Sequence, residues 1–297
     1  MKRGWIKYLV YSFVVIVVGG LFLFLIQLGY SYSWTGFAEF TPSNPDTVRS
    51  KTLWDWMELL IIPVVLAGGA ILLNRSERAL ERKTAEDRAR LERDLATDRQ
   101  REAALQTYFD RMSELLLKEK LRTTKKVEVR DVARTRTLSI MRVLDTKRNE
   151  MVIQFLREAG LITDENSIFI RAIMNGINLE GLNLKGVNLK GANLEGANFQ
   201  SARLEGANLE YTILERAILK DANLGWANLA GADLSNASLE DAYLAHANLQ
   251  AAEMWEANLQ GTVMWGANLK SAEVTPEQLA KVKTLTNATM TNGKKHD

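Results

Sequence analysis

The chain has 297 residues, of which 46% are hydrophobic, and is long enough for two domains or for one extended structure of several parts. It contains no Cys and only two His, which excludes disulfides, thiolate nucleophiles and Cys-ligated metals. Its net charge of +2 is unevenly distributed: Lys and Arg outnumber Asp and Glu by 22 to 16 over residues 75–158, a balance of +6, but are outnumbered by 12 to 6 over residues 177–274, a balance of −6.

Residues 1–74 are predicted to form a transmembrane hairpin of two α-helices. The run from Tyr8 to Leu28 has no charged residue and is long enough to cross the apolar core of a bilayer. A cleaved signal peptide is the alternative, but no convincing small-residue cleavage site follows. A second apolar run covers residues 53–73 and contains Pro63.

Basic residues flank both runs, and they predict the orientation of the hairpin. Lys2, Arg3 and Lys7 precede the first run. The positive-inside rule then places both termini in the cytoplasm and the chain in an inner membrane, either plasma or thylakoid. We expect anionic lipids to contact the basic residues after the second run: Arg75, Arg78, Arg82 and Lys83.

Residues 75–121 are predicted to form a cytoplasmic helical stalk, because charges of both signs alternate there without Gly or Pro. The sparse Leu80, Leu91 and Leu95 keep no clean heptad, so a coiled coil and a single solvated helix both stay open. Residues 122–165 are predicted to form a small helical module, which could share a core with the apolar residues of 105–116. Basic residues of this module suit either a solvated helix surface or contact with anionic lipid or nucleic acid. No binding motif accompanies them, so nucleic acid is not an expected partner.

A five-residue repeat fills residues 177–274. A central apolar residue recurs at every fifth position from Leu179 to Val274, giving twenty units, usually with Ala two positions before it and Asn between the two. Neither an α-helix nor a flat strand buries residues at this spacing on one side. A short extended piece followed by a corner in each unit does so, and Gly is frequent at the expected corner.

This stretch resembles the pentapeptide-repeat proteins, whose pattern is A(N/D)LxX. The resemblance implies a right-handed quadrilateral β-helix over residues 166–274, with four units per coil and therefore about five coils. The arrangement as a whole, including KTLWDWMELLIIP at residues 51–63, looks like membrane-anchored pentapeptide-repeat proteins of cyanobacteria and related bacteria. No established activity comes with that resemblance.

Both ends of the repeat are predicted to be closed. At the start, Ile177, Leu182 and Val187 replace the small inward residue and indicate a widened first coil, which we expect to be filled by Ile168, Phe169 and Ile173. Residues 275–297 are predicted to form a C-terminal cap and tail. Their helix begins with Thr at the N-cap, Pro at the first helical position and Gln three residues after the cap.

The sequence offers no catalytic constellation, phosphate-binding loop or metal-ligand cluster, so we expect neither an enzyme nor a cofactor. With four units per coil, residues twenty apart stack, which predicts an Asn ladder from Asn188 to Asn268. The same stacking gathers large side chains on another face, where isolated surface aromatics are the simpler interpretation and a protein-contact patch is the functional one. This candidate patch consists of Trp226, Tyr243, His246, Val263 and Trp265.

The sequence therefore favours a non-catalytic, membrane-tethered scaffold that presents a rigid β-helix to an unidentified protein partner. Membrane lipids are the other expected partner, and homo-oligomerisation stays open. One alternative is a DNA-mimicking inhibitor of DNA gyrase, suggested by the acidic repeat but weakened by the six basic residues within it. A second alternative is an accessory subunit of a membrane transport complex.

Overall fold

The computed structural model describes residues 53–297 together with Phe24 and Gln27, and leaves undescribed the side chains of residues 53–62, 65, 72 and 76. The chain divides into two compact units, residues 1–93 and residues 94–297. The first predicted membrane span lies outside the described residues, apart from Phe24 and Gln27. In the described part of the chain, no helix combines the length and the apolarity that crossing a bilayer requires.

The first helix, α1, runs over 66 residues from Leu53 to Lys118 and contains Pro63. Leu80, Leu91 and Leu95 are exposed by 64%, 60% and 48%. They pack in no apolar seam with other described residues, so the structure does not support the coiled coil. The helix itself agrees with the stalk predicted from the charge pattern.

Two further helices, α2 (Val127–Met141) and α3 (Thr146–Glu158), pack with the last turns of α1. Leu105 and Met112 of α1 are exposed by 1% or less. The Tyr108 hydroxyl lies 2.9 Å from that of Thr137 in α2. The predicted apolar face of residues 105–116 therefore joins α2 and α3 in one helical core.

A charged network fixes the start of α3. Asp145 is the N-cap residue, and its carboxylate accepts a hydrogen bond from the Arg148 backbone N–H at 3.0 Å. The Arg148 guanidinium also bonds to Asp98 at 2.8 Å and to Glu102 at 3.1 Å, both on α1. These bonds join α1 and α3 as the cap sets where α3 begins.

The repeat folds into a β-helix whose coils pair in parallel. Single parallel bridges join residues twenty apart, as in Ile173↔Asn193, Asn178↔Asn198, Asn183↔Arg203 and Asn188↔Asn208. Each bridge residue is the one just before the central apolar residue, so four repeats complete each turn of the coil. The central residues and the small residues two positions earlier point inward, and from Ala192 to Leu269 nearly all are fully buried.

The corner of each repeat has a left-handed backbone. Gly196 and Gly206 have φ of +62° and +65°, as predicted for the Gly-rich position. Non-glycine residues such as Trp226 (φ +56°) and His246 (φ +60°) hold the same conformation elsewhere. The left-handed backbone conformation thus recurs at the corners of the β-helix, whereas the side chain at the corner differs from repeat to repeat.

The inward pattern begins before the predicted first repeat. Phe169 and Met174 occupy central positions and are each exposed by 1%, while Ile177, Leu182 and Val187 are buried as expected. Ile168 is also buried, but the prediction that Ile173 helps to fill the first coil is wrong, because its side chain is 71% exposed. Ile173 is a bridge residue, and bridge residues face outward.

The C-terminal helix, α4, is only four residues long, Pro276–Leu279. The predicted capping box is present: the Thr275 hydroxyl accepts from the Gln278 N–H at 3.2 Å, and the Gln278 carbonyl oxygen accepts from the Thr275 N–H at 2.9 Å. The chain then returns to the β-helix, where Val263↔Thr284 and Asn268↔Thr289 pair 21 residues apart. One extra residue therefore accommodates α4.

Candidate functional site: an aromatic stack on the β-helix

All five residues of the predicted contact patch lie on one side of the β-helix. They belong to three repeats centred on Leu224, Leu244 and Met264, which stack because these centres are twenty residues apart. The bridges Asn223↔Tyr243 and Tyr243↔Val263 fix that register. The Leu spacing in the sequence thus places these outward side chains next to one another.

Three aromatic rings form a continuous stack across the coils. Trp226 and His246 are stacked with ring centroids 5.2 Å apart and an interplanar angle of 18°. His246 in turn meets Trp265 edge to face, at 4.5 Å and 71°. Such pairs contribute about 0.5–1.5 kcal/mol each beyond the area that they bury. We call Trp226, Tyr243, His246, Val263 and Trp265 the aromatic stack.

Small residues beneath the rings allow them to lie flat. Gly225 and Ala245 occupy outward positions, yet both are buried. A Cβ added at Gly225 would lie 3.2 Å from Cε1 of Tyr243, so the Tyr243 ring covers this glycine. A Cβ at Gly266 would lie 2.7 Å from Nδ1 of His246. The surface therefore carries a packed aromatic layer, and not isolated aromatic residues.

The inner side of the aromatic stack packs against the β-helix, and its outer side is exposed. Trp226 is 63% exposed, Trp265 42% and Tyr243 38%. Asp221 and Asp241, which precede the first two of these repeats, are exposed and have no ion pair among the described residues. Two cations nearby in sequence are paired: Lys220 lies 3.5 Å from Glu240, and Arg203 lies 3.9 Å from Glu205. Lys270, five residues after Trp265, is exposed and forms no ion pair with a described residue, so charges of both signs are unpaired near the aromatic stack.

The structure also gives the Asn ladder predicted on the neighbouring side. Asn248 donates from Nδ2 to Oδ1 of Asn228 at 3.0 Å, and Asn268 donates to Asn248 at 3.0 Å. Asn188, at the start of the predicted ladder, instead donates to the Asp164 carbonyl at 2.9 Å. The ladder stabilises the stacking of the coils. Of these two surface features, the aromatic stack is therefore the unusual one.

The candidate lipid-contact residues lie on α1, in the unit of residues 1–93. Arg75, Arg78, Arg82 and Lys83 are all exposed. Arg75, Arg78 and Arg82 are spaced by three and four residues and so share one face of the helix. Whether lipid contacts them stays a prediction.

Other exposed aromatic residues were not singled out from the sequence. Trp255 is 55% exposed and donates from its indole N–H to Glu273 at 2.7 Å. The Tyr211 ring lies over Gly231, and the Lys190 ammonium is 5.7 Å from its centroid. The spacing of twenty residues could have found both, but neither belongs to a stack of several aromatic rings.

Sequence analysis also missed the basic residues that cover the start of the β-helix. Arg157 of α3 donates to the carbonyls of Asn183 and Lys185, at 2.9 Å for the former. Arg134 of α2 donates to the carbonyl of Ile168 at 2.7 Å. Their partners are backbone oxygens some 26–36 residues away in sequence, and no side-chain pattern signals such pairs. Arg134, one of the basic residues noted from the sequence, and Arg157, which was not, therefore cover the start of the coil.

No group of three or more His, Cys, Asp or Glu that could hold a metal ion occurs within the described ranges. Tyr108, which is buried against α2, has its pKa raised by burial, and the hydrogen bond with Thr137 only partly opposes that rise. Such a phenol stays protonated and serves the helical core.

Comparison with known proteins identifies the repeat. The model of the family described as pentapeptide repeats matches residues 169–200, 197–236 and 237–273, with eight copies. Residues 169–273 are therefore a pentapeptide-repeat domain, and no catalytic family is indicated. No curated protein matched the chain.

Several solved structures are similar to the β-helix. A pentapeptide repeat protein from the Arabidopsis thaliana thylakoid lumen is 29% identical over 34% of this chain and 74% of its own length, with a TM-score of 0.32. HetL from the cyanobacterium Nostoc, involved in heterocyst differentiation regulation, is 32% identical over 43% of this chain and 61% of its own, with a TM-score of 0.21. The plasmid-mediated fluoroquinolone resistance protein QnrB1 is 15% identical over 42% and 79%, with a TM-score of 0.26.

Proposed function

We propose that this chain, whose residues 169–273 form a pentapeptide-repeat domain, is a non-catalytic scaffold that attaches to a membrane and binds a protein partner through the aromatic stack. The observation that carries this proposal is the exposure of Trp226 and Trp265, at 63% and 42%, in a layer packed from below. The β-helix supplies a rigid frame, and the stack supplies the contact.

Physical features of the stack support a binding role. Trp and Tyr are enriched in the central residues of protein interfaces because they bury a large area and lose little conformational entropy. Here the rings are already held by Gly225, Ala245 and each other, so a partner would meet a surface that needs little reorganisation. The layer is also more apolar than the Asn and Gly positions around it.

Membrane attachment is supported by the sequence of residues 1–74 and by side chains of α1. Val64, Leu66, Ile71 and Leu73 are exposed by 56–66%. At about 100° per residue, Val64 and Ile71 lie on one side of α1 and Leu66 and Leu73 on the other, so apolar side chains are exposed around the helix, as lipid on all sides would favour. The basic residues that follow would contact anionic headgroups, with both chain termini on the cytoplasmic side.

The membrane part of the proposal is tested in cells by a reporter enzyme fused after Asp297. We expect activity with a reporter that functions only in the cytoplasm, and we expect the fusion to remain in the membrane fraction after an alkaline wash. Fusion protein in the soluble fraction would argue against the anchor. Activity from a reporter that functions only outside the cytoplasm would overturn the orientation.

The binding part is tested with the double substitution Trp226→Ser and Trp265→Ser. Crosslinked complexes from native membranes are compared with those of Trp255→Ser, which removes an exposed Trp outside the stack. We expect partners to be lost from the double variant and retained by the control, because only the double variant removes the contact layer. An unchanged set of partners in a folded double variant would refute the contact role.

Gyrase inhibition is not favoured by any contact described above. Basic residues interrupt the acidic repeat, and Arg216 and Lys220 among them form ion pairs with neighbouring carboxylates. A supercoiling assay with gyrase and excess protein separates this alternative from the scaffold, since only a DNA mimic would inhibit. Size measurement in detergent tests assembly into a larger membrane complex.

A further inference from the structure

At the N-terminal end of the β-helix, the first coil exposes backbone N–H and C=O groups. The same groups of later coils are hydrogen-bonded to the preceding coil. In later coils, the bridge residue directs both its N–H and its C=O toward the preceding coil. Asn193, for example, donates to the Ala172 carbonyl at 2.9 Å and accepts from the Met174 N–H at 2.7 Å. Because the first coil has no preceding coil, its four bridge residues need other partners or remain an open sheet edge.

Two sides of this first coil are covered by the helices and by the segment that follows them. Asn183 donates its N–H to the Glu150 carboxylate at 3.0 Å and accepts from Arg157 at 2.9 Å. Asn188 donates to the Ile162 carbonyl at 2.7 Å and accepts from the Ser167 hydroxyl at 2.7 Å. These sides cannot accept another strand.

The other two sides are open. The backbone N–H and C=O groups of Ile173 and Asn178 form no hydrogen bond with any described residue. The apolar side chain of Ile173 is 71% exposed beside them. Nearby, Asn149 is only 3% exposed, and its Oδ1 has no hydrogen-bond partner in the described structure. The open edge thus combines unpaired donors, unpaired acceptors and an uncovered apolar residue.

Three adjoining clefts follow this edge beneath α2. The first, of about 370 Å³, reaches Arg134, which also lines the second, of about 380 Å³, together with Ile173. Arg142 lines the second and the third, of about 410 Å³, which reaches Asn149 and Asn178. We call this continuous depression the edge groove.

The edge groove is positively charged. Arg142 and Arg171 line it and make no ion pair with the described residues. The acidic residues that line it are mostly engaged: Asp131 pairs with Arg134 at 2.8 Å, and Asp145 caps α3. Glu165 is the remaining acid among the lining residues. The net charge therefore favours an anionic occupant.

We propose that the edge groove binds an extended acidic peptide segment of a partner protein, which adds a strand to the open side at Ile173 and turns a corner, as each repeat does, where it continues to Asn178. Main-chain hydrogen bonds would pair the segment with the sheet edge, as in other cases of β-strand addition. Alternate residues would point to opposite sides, so that acidic side chains meet Arg142 and Arg171 while an apolar one covers Ile173. This interaction is separate from the aromatic stack.

The test uses the full-length chain and a fluorescein-labelled nine-residue peptide in which Glu and Val alternate. Fluorescence anisotropy should show saturable binding. The double variant Arg142→Glu and Arg171→Glu should weaken it by about tenfold or more, since two cations become anions. The double variant Lys270→Glu and Lys281→Glu changes the net charge by the same amount at exposed positions remote in sequence from the groove, so it is the matched control and should bind as the wild type does. If the Arg142→Glu and Arg171→Glu variant binds the peptide with the same affinity as the control variant, the proposal is wrong.

A second comparison separates strand addition from simple charge attraction and needs no protein variant. The same peptide N-methylated at alternate amides keeps its charge but cannot donate those hydrogen bonds. We expect its affinity to fall by about tenfold or more, because each lost backbone bond leaves an edge acceptor unpaired. Equal affinity for the two peptides would refute strand addition. Binding of phosphatidylserine vesicles or duplex DNA at these arginines, without binding of the peptide, would replace the proposed occupant.

Discussion

Leu182 shows that the inward residues of the first coil are larger than those of later coils. Most repeats carry Ala at this position, and Ala202, one coil later, is fully buried there. The first coil instead holds Ile177, Leu182 and Val187, each exposed by 2% or less. Interiors pack at nearly crystalline density, so each coil requires residues of its own size. Ala, the consensus residue at this inward position, is therefore too small for the first coil.

We expect Leu182→Ala, which restores the consensus, to destabilise the protein by about 2–5 kcal/mol, because it opens a cavity in the first coil. The reciprocal change Ala202→Leu should also destabilise, by about 1–3 kcal/mol, through overpacking of the next coil. Denaturant unfolding followed by circular dichroism measures both. A Leu182→Ala protein as stable as the wild type would mean that the Leu182 side chain does not fill space that Ala would leave empty.

Individual elements differ in how well the sequence predicts them. The five-residue spacing predicts the inward residues, the corners and the stacking of Trp226 on His246, since one backbone geometry repeats throughout. The cover of the first coil is different, because Arg157 and Glu150 reach Asn183 from a helix that carries no repeat. Ile173 was misplaced for a related reason: its apolar character suggested burial, while its position in the repeat directs it outward.

The N-cap of α3 gives this element a pH dependence. The hydrogen bond from the Arg148 backbone N–H, with further help from the Arg148 and Arg101 guanidinium groups, holds the pKa of Asp145 below its ordinary value. A lowered carboxyl pKa stabilises the folded state above the unfolded-state pKa of about 3.9, and that contribution is lost as the pH falls through the lower folded-state value.

We therefore expect the wild type to lose stability relative to Asp145→Asn as the pH falls below about 4, because Asn caps a helix but does not titrate. The measurement is the free energy of unfolding of both proteins between pH 7 and pH 2. Asp98 and Glu102, which also face Arg148, are present in both proteins, so their titration largely cancels in the difference. A difference in stability that is constant over this range would contradict the assignment.

At the scale of the whole molecule, contacts divide the chain after Arg93, within α1, whereas composition suggested a change at residue 121. The reason lies in the sequence of α1 itself. Its charged residues continue to Lys118, but Leu105, Tyr108 and Met112 turn one face of the same helix toward α2 and α3. Charge density marks a helix as solvated, and it does not reveal where one face of that helix begins to pack.

This division predicts how truncated proteins behave. A fragment of residues 94–297 contains the whole of its unit, including the last turns of α1 and the acids that hold Arg148. A fragment of residues 122–297 keeps α2, α3 and the β-helix but loses Leu105, Tyr108 and Met112, whose burial contributes about 1.5–3 kcal/mol for each large apolar side chain. It would also expose the apolar faces of α2 and α3.

We expect the fragment of residues 94–297 to unfold in one cooperative transition, and the fragment of residues 122–297 to unfold at a clearly lower denaturant concentration. Because α2 and α3 also cover the first coil, the shorter fragment should lose amide-exchange protection first at Asn183 and Asn188, while the coils around Leu229 stay protected. Equal midpoints for the two fragments would show that α1 adds nothing to the core. Uniform loss of protection along the repeat would show that the helices and the β-helix unfold as one unit.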